Sequence, residues 1–165
     1  MSNLLERLAI FKDNRGMMAN LRCILIRNKR HRAWPVLHRL GVNVEDDISA
    51  FVAGLYATHP EASSNGNFGE TCRAIERQRQ DKSGDDNKLT PTERRFQHLL
   101  SAETGDELRQ RVLRMVLMAK SKGVPVNYEQ LLLDLKRWQW TDSTKTKWAA
   151  SYWAPNAEPI EEEAV

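Results

Sequence analysis

The stretch from Leu89 to Trp140, LTPTERRFQHLLSAETGDELRQRVLRMVLMAKSKGVPVNYEQLLLDLKRWQW, decides the fold class. Its apolar residues recur at the three- and four-residue steps of an α-helix, and its breaks carry helix-terminal chemistry. Thr90 is a cap, Pro91 takes the first helical position, where a missing N–H costs nothing, and Glu93 closes a capping box. The helix that follows turns Phe96, Leu99 and Leu100 inward. Thr104 and Glu107 read as a second box before a long helix with Leu108, Val112, Met115, Val116 and Ala119 inward. Gly123 lies just past its end, where left-handed backbone favours glycine. Asn127 caps a third helix that buries Leu131, Leu132, Leu135 and Trp138. Asp142 or Ser143 starts a fourth, carrying Trp148 and Tyr152. Short connections between four such helices predict an antiparallel bundle over residues 91–154.

Upstream the same periodicity continues, and no strand-like alternation appears. Leu4, Leu8 and Phe11 mark one helix; Met17, Leu21, Ile24 and Leu25 mark a second, from about Met17 to Asn28. A short segment carries Trp34, Leu37 and Leu40 and stops at Gly41. Asn43 is expected to cap a helix facing Ile48, Phe51, Val52 and Leu55 inward and ending before Pro60. After the loop EASSNGNFG comes a basic helix, ETCRAIERQRQ. The expected organisation is all-α in two small helical lobes: residues 1–80 with a basic face, a polar linker at 81–90, the four-helix bundle, and a disordered acidic tail over 155–165.

Composition narrows the function. The chain of 165 residues has a formal net charge of +3, but the charge is unevenly spread. Up to Leu40 the bases Arg7, Lys12, Arg15, Arg22, Arg27, Lys29, Arg30, Arg32 and Arg39 face only Glu6 and Asp13, whereas Glu158, Glu161, Glu162 and Glu163 stand unbalanced at the end. Clustered guanidinium groups match phosphate oxygens, so a polyanionic partner competes with a merely solvated helical surface. No apolar run approaches the length of a membrane span, and the N-terminal residues do not read as a targeting peptide. Cys23 and Cys72 are not a disulfide framework, and a reducing, cytoplasmic setting is expected.

No catalytic or metal constellation is legible. The histidines and cysteines are scattered singly, and Asp46–Asp47 and Asp85–Asp86 read as a helix first turn and a polar linker. There is no nucleophile elbow and no phosphate-binding glycine loop. The residues therefore offer no positive evidence for catalysis, and His31 and His38, which could share a face, lack a third metal ligand nearby. Arginines are the better lead. Arg15, Arg22 and Lys29 recur every seven residues and would share a face on a nearly continuous helix. Arg27, Arg30 and Arg32 crowd the next turn. Arg73 and Arg77 repeat the pattern, either free or paired with Glu70 and Glu76. Arg94, Arg95, Arg109, Arg111 and Arg114 add cations from the second half. Trp138 and Trp148 follow the apolar period; Trp140 and Trp153 fall off it and are open to either packing or base stacking.

The quoted stretch followed by WAASYW resembles the CasB family, the small subunit of the type I-E CRISPR surveillance complex called Cascade. ERRF with its following LL, the L-x-x-DL-x-x-W run and the WA-x-x-YW ending carry most of the resemblance; RGMMANLRC, AWPVLHRLG and NFGETCRAIERQ agree more loosely. The resemblance implies an all-helical subunit of two lobes, without catalytic activity, metal or cofactor, present as a pair of copies. Its implied partners are the backbone and large subunits, the guide RNA–target DNA hybrid and the displaced DNA strand. It further implies a basic groove at Arg22, Arg73, Arg94, Arg95 and Arg114, with Arg15, Arg77 and Arg111 as weaker transfers. Lys29 joins them from the heptad spacing. Two other readings remain: a free-standing helical protein binding single-stranded DNA or RNA, and a structural adaptor whose arginines face protein.

Overall fold

A computed structural model describes residues 3–78 and 88–155. Its order is α1 (Leu4–Ile10), α2 (Arg15–Arg22), 3-10 turns at Cys23–Leu25 and Arg27–Arg32, then α3 (Trp34–Arg39), α4 (Asp47–Thr58) and α5 (Phe68–Arg77). After the undescribed segment come α6 (Pro91–Leu100), α7 (Asp106–Lys122), α8 (Tyr128–Arg137) and α9 (Ser143–Tyr152). Among the described residues extended pairing is confined to a bridge between Ala62 and Val126, so the fold is all-α as expected. Among the same residues no helix is long and apolar enough to cross a membrane.

α4 is the centre. Phe51 to Ala57 are all buried, and α2 and α8 both pack against this helix. Gly54 lets the chain after α2 lie directly on α4, since a Cβ there would meet Ile24 Cγ2 at 2.2 Å. That close approach gives a physical reason why the expected helix over Met17–Asn28 does not run through. It ends at Arg22 and tightens into 3-10 turns, which lays Ile24 and Leu25 half-buried against α4. The cap of α4 is Asp46 rather than Asn43: Asp46 accepts from Ser49 N at 3.1 Å, while Asn43 folds its side chain onto Glu45 N in the loop before it. Burial opposes ionisation of Asp46, but the Ser49 hydrogen bonds and the nearby Lys136 ammonium outweigh it and hold the carboxyl below its usual range.

α5 packs chiefly on α9, and further on α7 and α6, so the helix before the expected linker meets helices after it. Gly69 makes this possible: a Cβ there would lie 2.1 Å from the Trp148 carbonyl oxygen. Phe68 and Trp148 pack with ring centroids 5.2 Å apart, and Trp148 in turn lies against Trp138 at 4.9 Å. Both indole N–H groups are satisfied, Trp148 donating to buried Asp134 at 2.8 Å and Trp138 to the Ala102 carbonyl at 2.9 Å. Buried Tyr128 donates to the His59 and Leu55 carbonyls, closing the C-terminal end of α4, and burial pushes its phenol far above the ordinary value. The buried residues from Leu8 to Tyr152 form one contiguous core. Within the expected linker, 81–87 lie outside the described residues, as do 156–165 of the expected tail.

Helix termini divide the same way. The Thr90–Glu93 box is formed in both directions, and Asn127 caps α8. Gly123 ends α7 at φ 68° in the left-handed region. The Thr104–Glu107 box is not formed. Gly105 at φ 74° stands at the cap position, and Glu107 is bonded instead to Arg111.

Candidate nucleic-acid interface

Arg73 and Arg77 lie one turn apart on α5 and line a groove of about 420 Å3 against α9. Ala74, Ala150, Ser151 and Ala154 supply short side chains along it. Of their sequence-level partners, Glu76 is engaged elsewhere, accepting from the Thr90 hydroxyl at 2.9 Å, whereas Glu70 lines the same groove with its carboxylate close to Gly66. Among the described residues neither arginine has an ion-pair partner within 4.0 Å.

Arg15 and Arg22 are both exposed on α2, seven residues apart and so on nearly one face. Arg22 Nη1 donates to the Ala57 carbonyl at 3.4 Å in the last turn of α4, which steers its guanidinium along that helix end. Lys29 is exposed too, but it belongs to the second 3-10 turn. The face shared by all three that continuous helix would have made is therefore absent. Arg94 and Arg95 are exposed neighbours on α6, about 100° apart around its axis. Arg114 is exposed on α7. These cations are spread over α2, the second 3-10 turn, α6 and α7, whereas Arg73 and Arg77 line one groove together.

Arg111 behaves differently. Its Nη1 donates to the His98 carbonyl at 2.6 Å and to Ser101 Oγ at 3.1 Å, and its Nη2 to Glu107. It satisfies the open C-terminal end of α6 and fastens it to α7, so three of its donors are used inside the molecule.

A second cationic cluster is legible only as a crowded run in the sequence. Arg27 and Arg30 line a pocket of about 180 Å3 with Arg109, Asp47 and Asp106. Arg109 donates to Asp106 at 2.7 Å, and this bond with its charge, aided by Arg30 and Arg27, holds the Asp106 carboxyl below the ordinary range. Arg30 Nε also donates to the Ile24 carbonyl at 3.3 Å. The signal in the sequence is the run Asn28-Lys29-Arg30-His31-Arg32; the acidic start of α7 that meets it is remote in sequence, and no local spacing points to it.

Among the described residues no group of three or more His, Cys, Asp or Glu side chains is arranged to hold a metal ion. The Cys72 thiol is fully buried, and burial raises its pKa well above the ordinary value, so it is neither exposed nor thiolate-like. Trp138 and Trp148 are core residues, whereas Trp140 is 77% exposed and Trp153 bonds Glu93 at the edge of Phe96.

Residues 17–153 match the family described as CRISPR-associated protein Cse2. Two solved structures share the fold. The crystal structure of CasB from Thermus thermophilus is 19% identical with a TM-score of 0.71, covering 92% of this chain and 96% of that one. TTHB189, a CRISPR-associated protein of the Cse2 family from the same organism, is 21% identical with a TM-score of 0.72 and the same coverage. No curated protein sequence matches the chain.

Proposed function

The chain belongs to the CRISPR-associated Cse2 family, and from that premise we propose that it is the non-catalytic small subunit of a type I-E RNA-guided surveillance complex, holding nucleic-acid backbone without reading sequence. Guide-RNA pairing selects the target. Exchange of the DNA duplex for an RNA–DNA hybrid is nearly balanced in free energy, so backbone contacts from protein can tip it. Cations at Arg22, Arg73, Arg77, Arg94, Arg95 and Arg114 hold the hybrid or the displaced strand and slow re-annealing. The chain also bridges the backbone and large subunits and meets a second copy of itself within the assembly.

The observation that carries this reading is the groove at Arg73 and Arg77. Two guanidinium groups line it beside Glu70, with Glu76 held by Thr90 and neither arginine ion-paired within 4.0 Å among the described residues, which leaves donors available to phosphate. Arg15 and Lys29 extend the cationic surface as exposed side chains; Arg111 stands apart as a structural tie.

The test is co-expression with the other subunits and guide RNA, followed by measurement of opened-DNA lifetime. The chain is expected to co-purify with the RNA-bearing assembly and to bind weakly alone. Charge reversal at Arg22 and Arg95 together (Arg22→Glu, Arg95→Glu) is expected to shorten the lifetime and flatten its salt dependence. An unchanged lifetime and slope contradict a backbone grip at Arg22 and Arg95. Tight binding of single-stranded DNA by the isolated chain, without co-purification, points to a free-standing binding protein instead.

A further inference from the structure

Side chains three residues apart eclipse in a 3-10 helix, so the turn Arg27–Arg32 presents its side chains in three columns. Arg27 and Arg30 form one, and it faces the body, since both line the pocket with Asp47 and Asp106. Lys29 and Arg32 form the second; both are exposed, and among the described residues neither has an ion-pair partner within 4.0 Å. Asn28 and His31 form the third, and Trp34, the first residue of α3, continues it. The His31 and Trp34 rings meet edge to face, 6.4 Å between centroids at 74°.

The sequence pattern expects Trp34 among the inward residues of its segment, yet it is 47% exposed. Its flanks hold it firmly. Ala33, Val36 and Leu37 are buried, Ala33 N–H donates to Arg30 O at 3.0 Å, and Leu37 N–H donates to Ala33 O at 2.9 Å. The indole therefore stands out from a fixed backbone, bordered by cations. No acidic residue occurs between Asp13 and Glu45. Tryptophan and arginine also meet at protein interfaces, but an aromatic ring flanked by unpaired cations in a segment with no acidic residue is the arrangement that grips a single strand by base stacking and phosphate contact. Trp140 is more exposed, at 77%, but Asp142 follows it closely and nearby Lys136 is paired with Asp46 at 3.7 Å.

We propose that Trp34, with His31 at its edge, is a stacking platform for an unpaired base of a single nucleic-acid strand, with Lys29 and Arg32 on that strand's phosphates. The inference rests on the backbone-gripping reading above and sharpens it. A paired base has no free face for an indole, so this site distinguishes the displaced strand from a duplex or hybrid.

The experiment uses the full chain, free and assembled, with a fluorescent oligothymidylate and a DNA duplex of equal length. Trp34→Leu is expected to weaken oligothymidylate binding about tenfold while leaving the duplex unaffected and the salt slope unchanged. Trp34→Phe retains most of the affinity, and Trp140→Leu behaves as wild type. Lys29→Glu with Arg32→Glu lowers both affinity and slope. In the wild-type chain, photo-cross-linking to 5-iodouracil in the strand is expected at Trp34 or His31, a readout that no folding defect can mimic. Wild-type affinity in Trp34→Leu, equal loss for duplex and single strand, or cross-links confined to other residues would each overturn the proposal. Loss of the other subunits with single-strand binding intact would assign Trp34 to a protein contact instead. If wild type itself binds no nucleic acid even when assembled, the backbone-gripping reading fails and this inference with it.

Discussion

The first turns of α7 and the body of α5 carry the same charged residue types but pair them differently. Each is a helix with arginines and acidic residues at helical spacing. On α7 the acids are close and free to turn back: Asp106 binds Arg109, and Glu107 binds Arg111, which also holds two acceptors at the end of α6. On α5 Glu76 is diverted to Thr90, while Glu70 lines the groove with Arg73 and Arg77 and neither arginine is ion-paired within 4.0 Å among the described residues. Arginine counts therefore do not identify a nucleic-acid surface. What distinguishes the two helices is whether arginine and acid pair, and a tertiary contact such as Glu76 with Thr90 decides part of that.

The largest effect should come from reversing the unpaired pair. Arg73→Glu with Arg77→Glu is expected to weaken nucleic-acid binding by about 3 kcal/mol or more, with a reduced salt slope and little change in melting temperature. Next is the helix contact beneath that groove. Gly69→Ala drives a Cβ into the Trp148 backbone and should lower stability by about 3 kcal/mol in chemical denaturation, because neither helix can yield locally. Arg111→Ala should cost about 1 kcal/mol of stability by leaving the His98 carbonyl without this donor, with the salt slope of binding unchanged. A fall in slope with no loss of stability would instead place Arg111 on the nucleic-acid side.

The smallest effect is pH-dependent. Asp106 has its folded pKa depressed below the ordinary 3.8, so its contribution is complete above that value and disappears as pH falls through the lower folded one. The melting temperatures of wild type and Asp106→Asn should differ slightly near neutrality and converge at acid pH; a gap that persists there would remove the Asp106–Arg109 tie as its cause.

Local chemistry made much of this fold legible. Thr90-Pro91-Thr92-Glu93, Asn127 and Gly123 mark helix ends through groups close in sequence, and the structure places helix ends at all three. The apolar period likewise separates Trp138 and Trp148 from Trp140. The failures have tertiary causes. The second helix breaks after Arg22 where Ile24 settles on Gly54, thirty residues downstream. Thr104–Glu107 has the spacing of a capping box, but Glu107 is drawn to Arg111. Asn43 loses the cap to Asp46 because two Asx residues compete for one helix start. The charged surface is legible as an excess of arginine, but its division into tied and open members is not, because Glu76 is withdrawn by a threonine beyond the undescribed segment.

The central claim, that open arginines rather than arginines in general hold the nucleic acid, is tested most directly by the salt dependence of opened-DNA lifetime in the assembled complex. Wild type, Arg73→Glu/Arg77→Glu and Arg111→Ala are compared across a salt series. The account predicts a shorter lifetime and flatter slope for the α5 variant, with Arg111→Ala matching wild type in slope. Equal slopes for all three, or a flattened slope for Arg111→Ala alone, would contradict it.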